Sequence, residues 1–160
     1  NCQSIPLTAA AAAAATAAAA TAAAVREHNS EQKQNILEEV SADRMIAGFA
    51  LSEPDAGSDV AAMSSKAFST TEGWKVNGEK SWISNGGIAD YYTSFAKTSD
   101  QPGSGGISAF LLEADNPGLS IAERQEVMAP HPLARLQLKD VMLKREALLG
   151  EEGKGFGIAL

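Results

Sequence analysis

The sequence is poor in the residues that most often carry chemistry. It holds one cysteine, Cys2, and two histidines, His28 and His131. A lone thiol excludes an intrachain disulfide and any zinc site built from cysteines, and it fits a reducing compartment. Two histidines so far apart give no imidazole cluster with metal-ligand spacing. Basic residues are outnumbered, 13 Lys and Arg against 20 Asp and Glu, for a formal charge of −7. A general nucleic-acid surface therefore has no electrostatic support, and an anionic ligand must be caught by backbone amides or single basic side chains. Long apolar runs are missing as well. Residues 9–24 are all alanine except Thr16 and Thr21, shorter than the roughly 20 residues a bilayer span needs and without the basic region a signal peptide carries before it. There is no G-x-S-x-G nucleophile elbow, and "GEEGKGFG" matches neither of the usual phosphate-loop patterns. Glu53, Asp55 and Asp59 lack the EF-hand spacing and read as caps for backbone amides around a Pro-Gly turn.

What is present falls into two grammars. Residues 9–27 favour helix but offer no large side chain to anchor it, and Ser30, Glu31, Gln32, Ile36, Leu37 and Val40 predict a short amphipathic helix over 30–41. After Met45 the pattern changes to strands. "MIAGFAL" suits a buried strand. "GWKVNGEKSWIS" places Asn77-Gly78 between alternating runs and predicts a hairpin whose apolar surface is Trp74, Val76, Trp82 and Ile83. "YYTSFAKT" and "ISAFLLEA" predict two strands joined by the loop "SDQPGSGG", "LSIAERQEV" and "ARLQLKDVML" two more, and Phe156 begins a helix after a Gly-rich loop. The expectation is a mainly β fold with N-terminal helices, its strands forming an antiparallel barrel or sandwich.

Within that fold, "LSEPDAGSDVA", Leu51 to Ala61, sets an acid, a proline and a Gly-Ser-Asp turn directly after an apolar run. It offers hydroxyls at Ser52 and Ser58 and amides around Gly57. "SWISNGG" adds the indole of Trp82, the hydroxyl of Ser84 and amides around Gly86. A flat heteroaromatic ligand with an anionic tail needs such a set: a face to stack on, donors at its edge and amides for the charge. Spacing alone favours Trp82 as a core residue over a ligand platform, and His131, between prolines in "APHPLA", as a structural histidine over a ligand contact.

Taken in order, "GFALSEPDAGSDVA", "WKVNGEKSWISNGGIADYY", "ISAFLLEADNPGLSI" and "LLGEEGKGFGIAL" resemble the central β-domain of the acyl-CoA dehydrogenase family, over residues 25–160. The resemblance implies that 1–45 are the Ala-rich end of an N-terminal helical domain, 46–155 the flavin-binding β-domain, and 156–160 the start of a C-terminal helical domain. It implies FAD as cofactor and an acyl-CoA thioester as substrate, with a carboxylate taking the α-proton while the β-hydrogen leaves as hydride to flavin N5. It further implies an electron-transferring flavoprotein or similar acceptor, a homo-oligomer, and a place in the cytoplasm or mitochondrial matrix.

Carried over by position, Phe49, Leu51 and Ser52 would line the flavin, with the Leu51 backbone and Ser52 near its pyrimidine edge. Gly57 and Ser58 would approach the pyrophosphate, Trp82 would cover one flavin face, and Ser84 would aim its hydroxyl at N5. The sequence departs from the family in two ways. Ser52 and Ser84 stand where threonine is usual, and "MAPHPLARLQL" replaces a commoner Gly-Arg-rich stretch and resembles a subgroup. The family's catalytic glutamate belongs to the C-terminal bundle, so no residue here is assigned that role. Other readings compatible with the resemblance are a flavin-dependent monooxygenase of the same fold and a noncatalytic, degenerate fragment.

Overall fold

The structure is a computed structural model that describes residues 45–127 and 131–159. The Ala-rich stretch and the helix expected over 30–41 lie outside the described residues, as do Met128, Ala129 and Pro130 of "MAPHPLARLQL".

Among the described residues, eight strands make one sheet: β1 (Ala47–Ala50), β2 (Lys66–Ser69), β3 (Gly73–Ser84), β4 (Tyr91–Lys97), β5 (Ile107–Glu113), β6 (Leu119–Gln125), β7 (Leu133–Lys144) and β8 (Leu148–Leu149). Short 3-10 turns occupy Val60–Ala62 and Arg145–Ala147, and one helical turn, α1 (Phe156–Ala159), closes the described chain. The order is β6-β7-β3-β2-β4-β5-β8, with β1 added alongside β4. Most pairings are antiparallel, as the alternating sequence predicts. The exceptions are β1 with β4 and the single contact of β2 with β4 at Lys66 and Lys97, both parallel.

The sheet curls on itself. In a flat sheet β3 and β5 would stand three strand spacings apart, each of about 4.8 Å. Yet Trp74 of β3 and Phe110 of β5 meet edge to face with ring centroids 5.4 Å apart. Around them Val76, Ile83, Tyr92, Leu112, Leu136, Leu138 and Val141 form the main core. A second cluster, Met63, Phe95, Ile107, Ala109 and Leu149, carries the half-buried Phe49 and Leu51 on its flank. The first cluster consists of strand residues pointing inward from both halves of the curled sheet, and their removal from water is the main force closing it.

The expected hairpin at Asn77-Gly78 is not formed. Residues 73–84 are one continuous strand lying antiparallel to β7, from Gly73 opposite Lys144 to Ser84 opposite Leu133. A register shift between Val76 and Gly78 marks a bulge in the partner strand, where Lys139 and Asp140 of β7 lie opposite Asn77 alone. Glycine is needed there for another reason: a Cβ on Gly78 would lie 2.8 Å from the Ser65 backbone. The asparagine is likewise tied across the sheet, its Nδ2 donating to Asp140 Oδ1 and its Oδ1 accepting from the Asp140 amide.

Candidate functional site

The candidate residues fall on β1, the loop that follows it and the far end of β3. Phe49 is in β1, its ring 5.1 Å from that of Phe95. Leu51 and Ser52 follow directly and are half-buried. A tight turn at Pro54-Asp55 then closes by reciprocal backbone bonds between Glu53 and Ala56, 3.0 and 3.2 Å. Gly57 and Ser58 sit beyond it, exposed to solvent, before Asp59 caps the 3-10 turn by accepting from the Ala61 amide.

The loop is fastened to β3 at two levels. The Ser81 amide donates to the Ser52 carbonyl at 2.9 Å. Beneath it, Lys80 Nζ donates to Glu53 Oε1 at 2.8 Å, with both side chains almost wholly buried, and also reaches the Leu51 carbonyl at 3.4 Å. Glu53 accepts in addition from the Ser64 amide and hydroxyl and from the Ser65 amide. Burial alone would raise the Glu53 pKa, but the Lys80 charge and these donors outweigh it and hold the carboxyl at about 2. Burial dominates at Lys80 and brings its ammonium down to about 8 against the attraction of Glu53. At neutral pH the pair is therefore ionised. Sequence reasoning missed it. β3 also carries Lys75, Asn77 and Glu79, so no local pattern sets Lys80 apart as the buried one.

Trp82 is not part of the core. A second register shift, between Lys80 and Ile83, puts it in a bulge, with φ of 60° and an indole 59% exposed. A left-handed backbone is unusual for a bulky residue and persists only where the surroundings impose it. Here Gln125 of β6 imposes it. Its Oε1 accepts from the Trp82 amide at 2.9 Å and its Nε2 donates to Ser81 Oγ at 3.3 Å. Ile83 stays in the core, and two residues beyond Trp82 the half-buried Ser84 bonds to His131 Nε2 at 2.9 Å. The Gly86 amide is not free for a ligand: it donates to the Ile83 carbonyl, and a Cβ at this position would lie 2.8 Å from the Ala134 nitrogen.

The site thus brings together an exposed indole, the Ser52 backbone beside it and a hydroxyl farther along the same strand. A flavin nucleotide fits these residues. Gly57 adds an independent reason: its φ is not left-handed and a Cβ there would meet nothing within 4 Å. Neither conformation nor packing within the described residues calls for glycine, and the position opens to solvent, so a ligand can approach its backbone without meeting a side chain. Among the described residues, no group of three or more His, Cys, Asp or Glu converges to hold a metal ion, and no helix is long and apolar enough to cross a membrane.

Known proteins resemble this chain in sequence and fold. The chain is 39% identical over 132 residues to a cyclohexane-1-carbonyl-CoA dehydrogenase from Syntrophus aciditrophicus, covering 81% of this chain and 34% of that one. It superimposes on the butyryl-CoA dehydrogenase of Megasphaera elsdenii with a TM-score of 0.89 and 33% identity, over 93% of this chain and 40% of the other. On the FAD complex of PigA the TM-score is 0.81 with 34% identity, over 89% and 39%. The chain thus spans about a third of the length of the curated relative. Residues 48–141, more than half of the chain, match the family described as acyl-CoA dehydrogenase, middle domain, and the chain belongs to the acyl-CoA dehydrogenase family.

Proposed function

We propose that this chain holds FAD with the flavin ring against Trp82, in a protein that removes two hydrogens from adjacent carbons of an acyl-CoA thioester. The observation that carries the reading is the exposed indole on a left-handed bulge, an arrangement that costs backbone energy and leaves most of the side chain in solvent. Membership of the family and the fit of Gly57 support it.

When bound, FAD supplies the hydride-accepting chemistry. The chain supplies orientation and polarity. Trp82 offers a flat apolar face, worth most when water is displaced from both surfaces. Ser52 and the Leu51 backbone are held in place from below by Lys80 and Glu53, so their groups meet the ring edge without first having to be ordered. Ser84 offers a neutral hydroxyl, and Gly57 and Ser58 an uncrowded approach for the pyrophosphate. Electrons would then leave to an electron-transferring flavoprotein or similar acceptor, from a homo-oligomer in the cytoplasm or mitochondrial matrix.

Two tryptophans make the test direct, because Trp74 is buried and Trp82 is exposed. Titration of the chain with FAD should quench the solvent-exposed emission, and Trp82→Ala should abolish that quenching and weaken retention of the flavin. Unchanged retention together with unchanged quenching in the variant would refute the stacking role.

A further inference from the structure

We propose that His131 is a positioning residue that fixes the direction of the Ser84 hydroxyl, donating to Ser84 Oγ so that the serine's own proton is kept for an acceptor at the edge of the bound ring. The proposal rests on the flavin reading above. The two side chains are brought together by backbone on both sides: Ser84 pairs with Leu133, and the Asn85 amide donates to the Pro132 carbonyl at 2.9 Å. Residues 132–133 are thus locked to 84–85, which sets the preceding His131 ring beside Ser84 with Nε2 and Oγ 2.9 Å apart.

A serine hydroxyl has one proton and two lone pairs, and a neutral imidazole has one N–H. If Nε2 is bare, Ser84 must donate to it and has no proton left for a ligand. If Nε2 carries the hydrogen, Ser84 accepts and its proton turns outward. The other ring nitrogen decides between these. His131 Nδ1 is buried and has no hydrogen-bond partner among the described residues. A hydrogen on Nδ1 would be an orphaned buried donor, an arrangement rarer in folded proteins than an under-satisfied acceptor. The proton therefore belongs on Nε2. Because serine lacks the branching methyl that restricts χ1 in threonine, this bond to the ring is also what limits rotation of the Ser84 side chain.

The tautomer is read directly by nitrogen-15 NMR of the purified chain with neutral rings, and with only two histidines the His131 signals are assigned by a His28→Gln variant. The Nε2–H form is expected, and an Nδ1–H form overturns the proposal. FAD titration supplies the second reading. His131→Leu, which has no donor, should weaken FAD binding about tenfold, as Ser84→Ala should, while His131→Gln, which restores an N–H, should stay within about twofold of the parent. The double variant Ser84→Ala with His131→Leu should be no weaker than either alone, since the histidine acts through the serine. Parent-like binding by His131→Leu, or a tenfold loss in His131→Gln as well, overturns the proposal. If the parent chain binds no FAD, the flavin reading has failed, and the NMR result alone decides which way Ser84 points.

Discussion

Lys80 and Glu53 illustrate how one pair of side chains ties stability to the site. A carboxyl held at about 2 in the folded chain, against an ordinary value of 4.5, contributes stability above pH 4.5 that is lost as pH falls toward 2. Lys80 has the opposite sign: lowered from 10.5 to about 8, it costs stability while charged below pH 8, and that cost fades as pH rises toward 10.5. In acid only Glu53 of the pair titrates. Lys80→Met leaves Glu53 as a lone buried charge, for which a loss of about 3–5 kcal/mol at neutral pH is expected. Protonation of that carboxyl then relieves the penalty. Denaturant unfolding of both proteins from pH 7 to 3 should show the gap closing as the parent weakens; a gap constant with pH would mean that Glu53 is not the charge concerned. Gly57 gives the complementary case. Since a Cβ there meets nothing in the chain, Gly57→Ala should leave the denaturation midpoint unchanged while weakening FAD binding. Equal FAD affinity would show that this open approach is not used. Of these features the tight loop that carries Gly57 was legible in the sequence, because its Pro, Gly, Ser and Asp residues advertise a bend; the Lys80 contact was not, because its partner lies 27 positions away and nothing local marks a strand lysine as inward-facing.

At the scale of elements, β4, β5, β6 and β7 read directly as strands from short β-rich runs bounded by Gly, Pro, Asp and Asn turns. β2 escaped notice because its four residues, Lys66–Ser69, are too few to show a period. The Asn77-Gly78 turn signal misled because glycine is needed there to pass close to Ser65 and not to turn, and the extra residue of the irregularity lies opposite, at Lys139-Asp140 of β7. The bulge at Trp82 was equally hidden, since it depends on a side chain from β6. Gln125 makes two hydrogen bonds to residues 81–82 of β3, so Gln125→Leu should cost about 1 kcal/mol in denaturant unfolding. It should also change the access of acrylamide to Trp82, which a purely local loss of stability at β6 would leave alone. Accessibility identical to that of the parent would show that the strand holds its own bulge without Gln125.

At the scale of the molecule, the proposed cofactor surface comes without an identified base to work on a substrate. Abstraction of a proton next to a thioester needs a carboxylate or similar group within hydrogen-bond reach of the α-carbon. Glu53 is not available for this, being buried and engaged by Lys80, Ser64 and Ser65. Asp59 caps its own turn, Asp90 accepts from the Ile46 amide, and Glu79 and Glu123 share Arg135. The resemblance assigns the family's base to a C-terminal bundle and to none of these 160 residues. The purified chain should therefore bind FAD without dehydrogenating an acyl-CoA. Its affinity for FAD should also be modest, because a ring covered on one side leaves much of the ligand in water and the ordering cost of binding is only partly offset. Anaerobic mixing of the chain with excess FAD and an acyl-CoA should leave the flavin absorbance unbleached over many minutes, while dithionite bleaches it as a control. Bleaching that depends on the acyl-CoA would place a competent base within this chain, and the carboxylates of the exposed loops would be the first to replace.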